Sequence, residues 1–212
     1  MCWNAEVSLN TFLFSSGVLG LIAYNNAYTK YKIPEFSNVW VYVFFMSFIL
    51  MQLIEFFIWR NVKNSYYNSI FTFMALILLF FQPMASIMVM NNSRIKKILI
   101  LSYLILMSPK IYKSFTNPFP LSTTTKMRHL NWNLAEIPSD NITVFIWYSF
   151  FLLPFLFSKH YSAFLFGTLT LILIIYQYRN DKSISSNWCY IVNSIMVYYA
   201  IYLLIILPQN LL

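Results

Sequence analysis

Runs of apolar residues long enough to cross a lipid bilayer constrain this chain more than any other feature. The hydrocarbon core of a bilayer requires about 20 mainly apolar helical residues, and the sequence contains seven such stretches separated by short polar segments. They lie at 8–25, 38–59, 66–90, 95–112, 141–158, 160–178 and 187–207. The fourth and fifth each contain a proline, Pro109 and Pro154, so six spans are the alternative. The predicted fold is a polytopic all-α transmembrane helix bundle of about seven spans.

Composition supports a helical membrane protein. Hydrophobic residues make up 59% of the chain and charged residues only 9%, against about 25% charged in soluble domains. The apolar runs are continuous and do not alternate as the strands of a membrane barrel do. We therefore expect a single transmembrane domain over residues 1–212, with one long extramembrane loop at about 113–140. The first run follows Glu6 and no Lys or Arg, so we expect it to be retained and not cleaved as a signal peptide.

The net charge of +8 comes from basic residues in the connections between the runs. Such flanking charge is typical of contact with anionic headgroups, so we predict the lipid bilayer as a partner and no binding of nucleic acid. Side A denotes the side that holds the N-terminus. Glu6 precedes the first span, and Lys30 and Lys32 follow it, which favours an N-terminus outside and a C-terminus in the cytoplasm.

The second span carries a polar stripe. Gln52, Glu55 and Trp59 are spaced i, i+3, i+7, which places all three on one helix face. Two interpretations are open for Glu55. It is either a hydrogen-bonded residue that fixes helix packing, or a proton or cation ligand or general acid/base that faces the bundle interior.

The third span contains a proline beside polar residues. Pro83 leaves a backbone carbonyl one turn earlier without its usual donor, Gln82 offers an amide, and Ser86 lies on the same face as Gln82. Such a kink can build a solute or ion site, or it can serve helix packing alone. Gln82 is therefore a candidate binding residue on a path deeper than Glu55.

With seven spans, several polar and aromatic residues fall on side A together with Glu55. They are Cys2, Trp3, Glu6, His129, Trp132, Trp188 and Cys189. The long loop that contains His129 and Trp132 is interpreted either as a lid over a site or as a plain connector. Cys2 and Cys189 would be a disulfide or two free thiols. The close-spaced ligand pairs of zinc sites are missing, so we predict no metal site.

Several short motifs occur in an order that resembles a known family. They are "MCW" at the start, the Gln52–Glu55 pair, "FQP" in the third span, "HLNW" before the fifth and "WC" at the opening of the seventh. Together they resemble an uncharacterised family of short seven-helix membrane proteins whose members begin Met-Cys-Trp. The resemblance implies a fold and a set of positions of interest. It implies no activity.

Function is less constrained than fold. The last span contains no lysine for a retinal Schiff base, the chain has only two histidines, and no GxSxG, HExxH or phosphate-binding loop is present. We expect no cofactor. Three functions stay open: a channel or transporter for a small ion or solute, a membrane-interface enzyme acting on a lipid, and a non-catalytic membrane scaffold. Transport is favoured because the polar residues extend from one surface into the spans.

Overall fold

A computed structural model describes residues 4–116, 121–133, 141–158, 160–178, 181 and 183–209. Seven helices form one bundle, and a two-stranded hairpin lies between the fourth and the fifth. The helices are α1 (Ala5–Tyr28), α2 (Val39–Arg60), α3 (Ser65–Val89), α4 (Ser93–Thr116), α5 (Asn141–Phe157), α6 (Tyr161–Tyr178) and α7 (Ile184–Gln209). The strands are β1 (Thr123–Thr124) and β2 (Leu130–Asn131), and a short 3₁₀ helix, Pro34–Ser37, precedes α2. The predicted all-α bundle is confirmed, and the predicted spans match the helices to within a few residues.

Six of the described helices are long and apolar enough to cross a membrane, and α5 is shorter. At 1.5 Å per residue, the 17 residues of α5 extend about 25 Å, slightly less than the hydrocarbon core. The chain is an integral, multi-pass membrane protein. Its helix surfaces agree with this, because many large apolar side chains on α1, α4 and α6 are exposed on the outside of the bundle.

Asparagine caps start three of the helices. The side chains of Asn4, Asn38 and Asn64 accept hydrogen bonds from the backbone N–H groups of Val7, Trp40 and Tyr67, respectively. An N-cap oxygen satisfies a backbone donor that has no partner inside the helix. Polar residues between the apolar runs therefore set where these three spans begin.

Prolines inside the spans leave carbonyl groups that side chains then satisfy. Pro83 has no N–H to give to the carbonyl of Leu79, and the indole Nε1 of Trp147 donates to that oxygen at 2.7 Å. Pro109 likewise leaves the carbonyl of Ile105 without a backbone N–H donor, and the hydroxyl of Ser108 donates to that oxygen at 2.8 Å. Pro83 thus takes part in the packing between α3 and α5 through the carbonyl that it leaves for Trp147.

Hydrogen bonds between connections define the two ends of the bundle. On side A, Asn68 near the start of α3 bonds to Ser122 before β1, and Thr125 of the hairpin turn donates to Asp181 between α6 and α7. On side B, the amide of Asn38 before α2 donates to the carbonyl of Val89 at the end of α3. The hairpin therefore lies on the same side as the α2–α3 and α6–α7 connections, as the predicted topology requires.

Helix α7 is not one regular helix. It is interrupted at Asn193 and Ser194, and it contains a π-helical turn over Tyr202–Ile206 just before Pro208. The backbone N–H of Leu207 bonds to the carbonyl of Tyr202, five residues earlier, and Pro208 cannot donate at all. The break at Asn193 brings its side chain into the interface with α2.

Candidate functional site

The centre of the candidate site is the Gln52–Glu55 pair on α2. Both side chains have no exposed surface, and the Nε2 of Gln52 donates to the Oε2 of Glu55 at 3.0 Å. The i, i+3 spacing places them together on one inward face of α2, as the sequence predicts. Glu55 lies five residues before the end of α2, about 7.5 Å by helical rise, so it is buried within a span and below its side A surface.

Helix α7 forms the opposite wall. Cys189 is buried and lies near Glu55. One turn further along α7, the Nδ2 of Asn193 donates to the carbonyls of Phe48 at 3.2 Å and of Cys189 at 2.8 Å. Phe48 is one turn before Gln52, so Asn193 fastens α7 against the same face of α2. Our sequence analysis missed Asn193; its signal is an amide inside an apolar run, four residues after Cys189.

The hairpin packs against α2, α3 and α7 at the side A end of the bundle. Leu130 and Trp132 have 0% and 3% of their surface exposed, and because residues two apart in an extended chain share a face, both point into the bundle. They belong to one apolar cluster whose other buried members are Met51, Ile54, Ile58, Ala75, Leu79 and Cys189. Residues 121–133 of the long connection are therefore packed onto the bundle, and their role as a lid stays a prediction.

The hairpin is fastened at two points. Asn68 donates to the carbonyl of Ser122 at 2.9 Å and accepts from its N–H at 2.8 Å, and the Thr72 and Ser122 hydroxyls lie 2.7 Å apart. At the turn, Thr125 donates to the carboxylate of Asp181 at 3.0 Å. The hairpin therefore connects α3 to the α6–α7 connection across the top of the site.

His129 belongs to the same hairpin but faces a different direction. It is adjacent to Leu130 in an extended segment, so its side chain points to the opposite face, where its ring lies edge-on to Tyr178 with centroids 5.2 Å apart. Burial lowers the pKa of the imidazole, and the nearby Asp181 carboxylate opposes this shift. His129 therefore lies at the fastening of the hairpin, and its described contacts do not include Glu55.

Four buried polar atoms around Gln52 and Glu55 have no hydrogen-bond partner among the described residues. They are Gln52 Oε1, Trp59 Nε1, Trp132 Nε1 and Asn193 Oδ1. Buried polar atoms in proteins are nearly always paired, with water or a bound ligand where protein groups are absent. The two acceptors and two donors belong to α2, α7 and the hairpin, elements that share one buried cluster, and they leave hydrogen bonds that water, a cation or a small polar solute would complete.

The other predicted site residues are placed elsewhere. Gln82 is buried and its Nε2 donates to the carbonyl of Ser47 at 3.4 Å, while Ser86 donates to the carbonyl of Phe151 at 2.7 Å. Trp188 packs into the aromatic core against Trp147, Tyr148 and Phe151, and not in the cluster of Cys189.

Of the other residues in the predicted side A cluster, Glu6 lies away from the observed site, and two fall outside the described residues. Glu6 is exposed in the first turn of α1, where an acid suits the helix N-terminus. Cys2 and Trp3 lie outside the described residues, so the predicted meeting of Cys2 and Cys189 does too. Cys189 itself carries a free thiol. Within the described ranges, no group of three His, Cys, Asp or Glu residues could hold a metal ion.

Comparison with known proteins adds no assignment. The chain matches no protein-family model, no curated protein and no solved structure. The function must therefore be argued from the site itself.

Proposed function

We propose that the protein is a membrane channel or transporter for a small cation, and that Gln52 and Glu55 form its binding position. One observation carries the proposal: a carboxylate with no exposed surface lies inside a membrane span, in the same part of the bundle as buried polar atoms that have no partner among the described residues. An ionised group in such a place costs several kcal/mol to bury, so it is retained mainly where it serves a function. A bound cation or a proton would add to the compensation that the Gln52 amide gives.

The chemistry of the available atoms favours a cation. The Glu55 carboxylate, Gln52 Oε1 and Asn193 Oδ1 are all oxygen acceptors, and alkali and alkaline-earth cations prefer oxygen ligands. The indole N–H groups of Trp59 and Trp132 would hydrogen-bond water molecules that hydrate the ion or carry the proton. A single carboxylate is also the usual element of a proton relay in membrane transporters.

Transport is favoured over catalysis by how far the buried polar residues extend. An enzyme acting at the membrane surface needs polar groups in one layer only. Here Gln82 and Ser86 lie 17 and 21 residues after Ser65, about 26 and 32 Å along α3 from side A. Polar groups thus continue from the hairpin, past Glu55, to the far half of the bundle. The hairpin would control access from side A.

The proposal includes an orientation. Glu6 before the first span and Lys30 and Lys32 after it favour side A outside and the C-terminus in the cytoplasm, by the tendency of basic residues to stay on the cytoplasmic side. The hairpin and Glu55 would then face the exterior.

The test is cation flux in liposomes that contain the purified protein. We expect flux of H⁺, Na⁺ or K⁺ above that of empty liposomes, and we expect Glu55→Gln to abolish it while the protein remains folded. Gln keeps the shape of Glu and removes a buried charge, so stability should be unchanged or higher. Glu6→Gln is the matched control, because Glu6 is an exposed acid on the same side.

Two results would contradict the proposal. Unchanged flux per folded Glu55→Gln molecule, with a destabilised fold, would make Glu55 a packing residue. Absence of any cation flux in the wild-type protein would favour the other two functions, and turnover of membrane lipid would be measured next.

A further inference from the structure

A second candidate site lies at the other end of the bundle. A cavity of about 160 Å³ opens between α2, α5, α6 and α7, and a single water needs only about 10–15 Å³ of such space. Its walls include Phe44, Phe48, Phe151, Phe155, Phe166 and Trp188. Glu35 of the 3₁₀ helix and His160 at the start of α6 also line it. The cavity therefore reaches from side B towards the middle of the bundle.

The shape of the cavity suits an extended chain. Along α2 its lining runs from Val41 to Phe48, and along α7 from Tyr199 to Trp188, distances of about 10 and 16 Å by helical rise. The walls are aromatic and aliphatic, and apolar cavities bind apolar guests in preference to water. Phe48 and Trp188 form the inner end, and Phe48 is one turn from Gln52, so the cavity stops short of the polar site.

Helix packing keeps this space open. Gly167 of α6 lines the cavity, and a Cβ at that position would lie 2.6 Å from Cδ2 of Leu152 on α5. A larger residue would displace Leu152, which lines the same cavity. The absence of a side chain at Gly167 thus allows α5 and α6 to approach closely without filling the space between them.

The opening of the cavity is polar and carries one acid. Glu35, His160 and Ser162 are exposed lining residues, and Glu35 lies close enough to Tyr199 for the two to interact electrostatically. Lys30 and Lys32, in the same connection as Glu35, do not line the cavity. A carboxylate beside aromatic rings is the arrangement that attracts an ammonium group, through ion pairing and cation–π contact.

From this geometry we infer that the cavity binds a single-chain amphiphile with an ammonium head group. The alkyl chain occupies the aromatic interior, and the ammonium lies at the side B opening between Glu35 and the rings of Tyr198 and Tyr199. The site does not depend on cation transport, because it shares no lining residue with the Gln52–Glu55 position.

The experiment uses the full chain in lipid nanodiscs and a decylamine that carries a diazirine at the end of its chain. After illumination, we expect label on cavity residues of α5 and α7, identified by mass spectrometry of peptides. Unlabelled decylamine should compete about tenfold more strongly than decanol or decanoate. Label confined to the outer faces of the helices, or equal or stronger competition by decanoate, would overturn the inference.

Two variants test whether the alkyl chain occupies the cavity. Ala163→Phe fills the cavity from α6 and should reduce cavity labelling at least about tenfold, whereas Ala23→Phe, the same change on an exposed position of α1, should leave it unchanged. Ser162→Trp blocks the opening at an exposed position and should have the effect of Ala163→Phe without touching the core. Unchanged labelling in a folded form of either cavity variant would refute the site.

The head-group preference is tested by Glu35→Gln. Decylamine and decanol should then compete equally, because the attraction for the ammonium has been removed while the cavity is intact. A preference for decylamine that survives in Glu35→Gln would show that the proposed head-group position is wrong. Glu55→Gln should leave the labelling unchanged, so a failure of the transport proposal and a failure of this one can be told apart.

Discussion

Two polar clusters lie under the same hairpin, and they differ in how completely their hydrogen bonds are made. In the Asn68 cluster, the amide donates to the carbonyls of Val62 and Ser122, and its oxygen accepts from Ser122 and Thr72. In the Gln52–Glu55 cluster, four surrounding atoms have no partner among the described residues. Asn68, Gln52 and Glu55 are each at most 1% exposed, so burial of these central residues does not explain the difference.

The comparison distinguishes buried polar groups that stabilise the fold from buried polar groups that serve a function. A buried amide with every hydrogen bond made contributes to stability and fixes the position of what it holds, here the start of the hairpin. A buried polar group without a partner destabilises the fold, and it is retained where something else completes the hydrogen bonds. We expect substitutions in the first cluster to affect the free energy of unfolding, and substitutions in the second to affect binding and flux.

The largest expected effect is on the Asn68 cluster. Asn68→Ala removes four hydrogen bonds and leaves the N–H and carbonyl of Ser122 buried without partners, so the free energy of unfolding should fall by about 3 kcal/mol or more. Chemical unfolding in detergent micelles measures this. The control is Asn64→Ala, an exposed helix cap four residues earlier, which should cost about 1 kcal/mol. Equal losses in the two variants would mean that the cluster does not hold the hairpin.

Two tryptophans allow the same comparison, with a smaller expected change in the free energy of unfolding. The indole N–H of Trp147 donates to the carbonyl left by Pro83, whereas that of Trp132 has no described partner. Trp147→Phe should therefore lower the free energy of unfolding by about 1–3 kcal/mol more than Trp132→Phe. Both changes remove the same atoms. The difference in thermal unfolding between the two variants therefore measures how much the hydrogen bond of Trp147 contributes to stability.

The two tryptophan variants should rank in the opposite order for cation flux. Trp132→Phe removes an N–H group from the proposed binding position and should reduce flux per folded molecule, while Trp147→Phe should not. If Trp132→Phe is the more destabilising variant and leaves flux unaltered, the unpartnered atoms mark nothing functional.

The smallest expected effect is a loosening of the hairpin in acid. Because burial lowers the pKa of His129 in the folded protein, the docked hairpin favours the neutral imidazole. This contribution is complete above the ordinary histidine value of about 6.5 and is lost as the pH falls through the lowered folded-state pKa. Asp181, which faces His129, opposes the shift and keeps the effect small.

Hydrogen exchange of residues 121–133, corrected for the intrinsic rate at each pH, measures the loosening. Protection should fall between pH 7 and pH 5 in the wild-type protein and less so in His129→Asn. His160→Asn, at the other end of the bundle, is the control and should behave like wild type. A fall in protection that is the same in all three proteins would remove His129 as the cause.

The helices could be predicted from sequence because span length depends on a local property. A run of apolar residues must match the thickness of the bilayer, and the polar residues at its ends cap the helix. The same holds for Gln52 and Glu55, whose meeting follows from a spacing of three residues on one helix. The position of Pro83 in the sequence also predicts that the carbonyl one turn earlier lacks its usual backbone donor.

The remaining contacts could not be predicted because they join distant parts of the chain. No local pattern indicates that Trp147 donates to the carbonyl of Leu79, or that Ser122 bonds to Asn68. Trp188 illustrates the limit most clearly. An aromatic residue at the start of a span is typical of the membrane interface, yet it is buried with 1% exposure among other aromatic rings.

The pairing of α2 with α7 has a consequence for how the protein is made. Glu55 enters the membrane early, but Cys189 and Asn193, which complete its surroundings, are synthesised much later. The 138 residues from Glu55 to Asn193 take roughly 7–28 s at a translation rate of 5–20 residues per second. Throughout that interval α2 carries a carboxylate with no partner helix from α7. Insertion of α2 itself does not need α7, because the rest of the span is strongly apolar and Gln52 bonds Glu55 within the same helix. The buried surroundings of Glu55 are complete only when the last helix has been made.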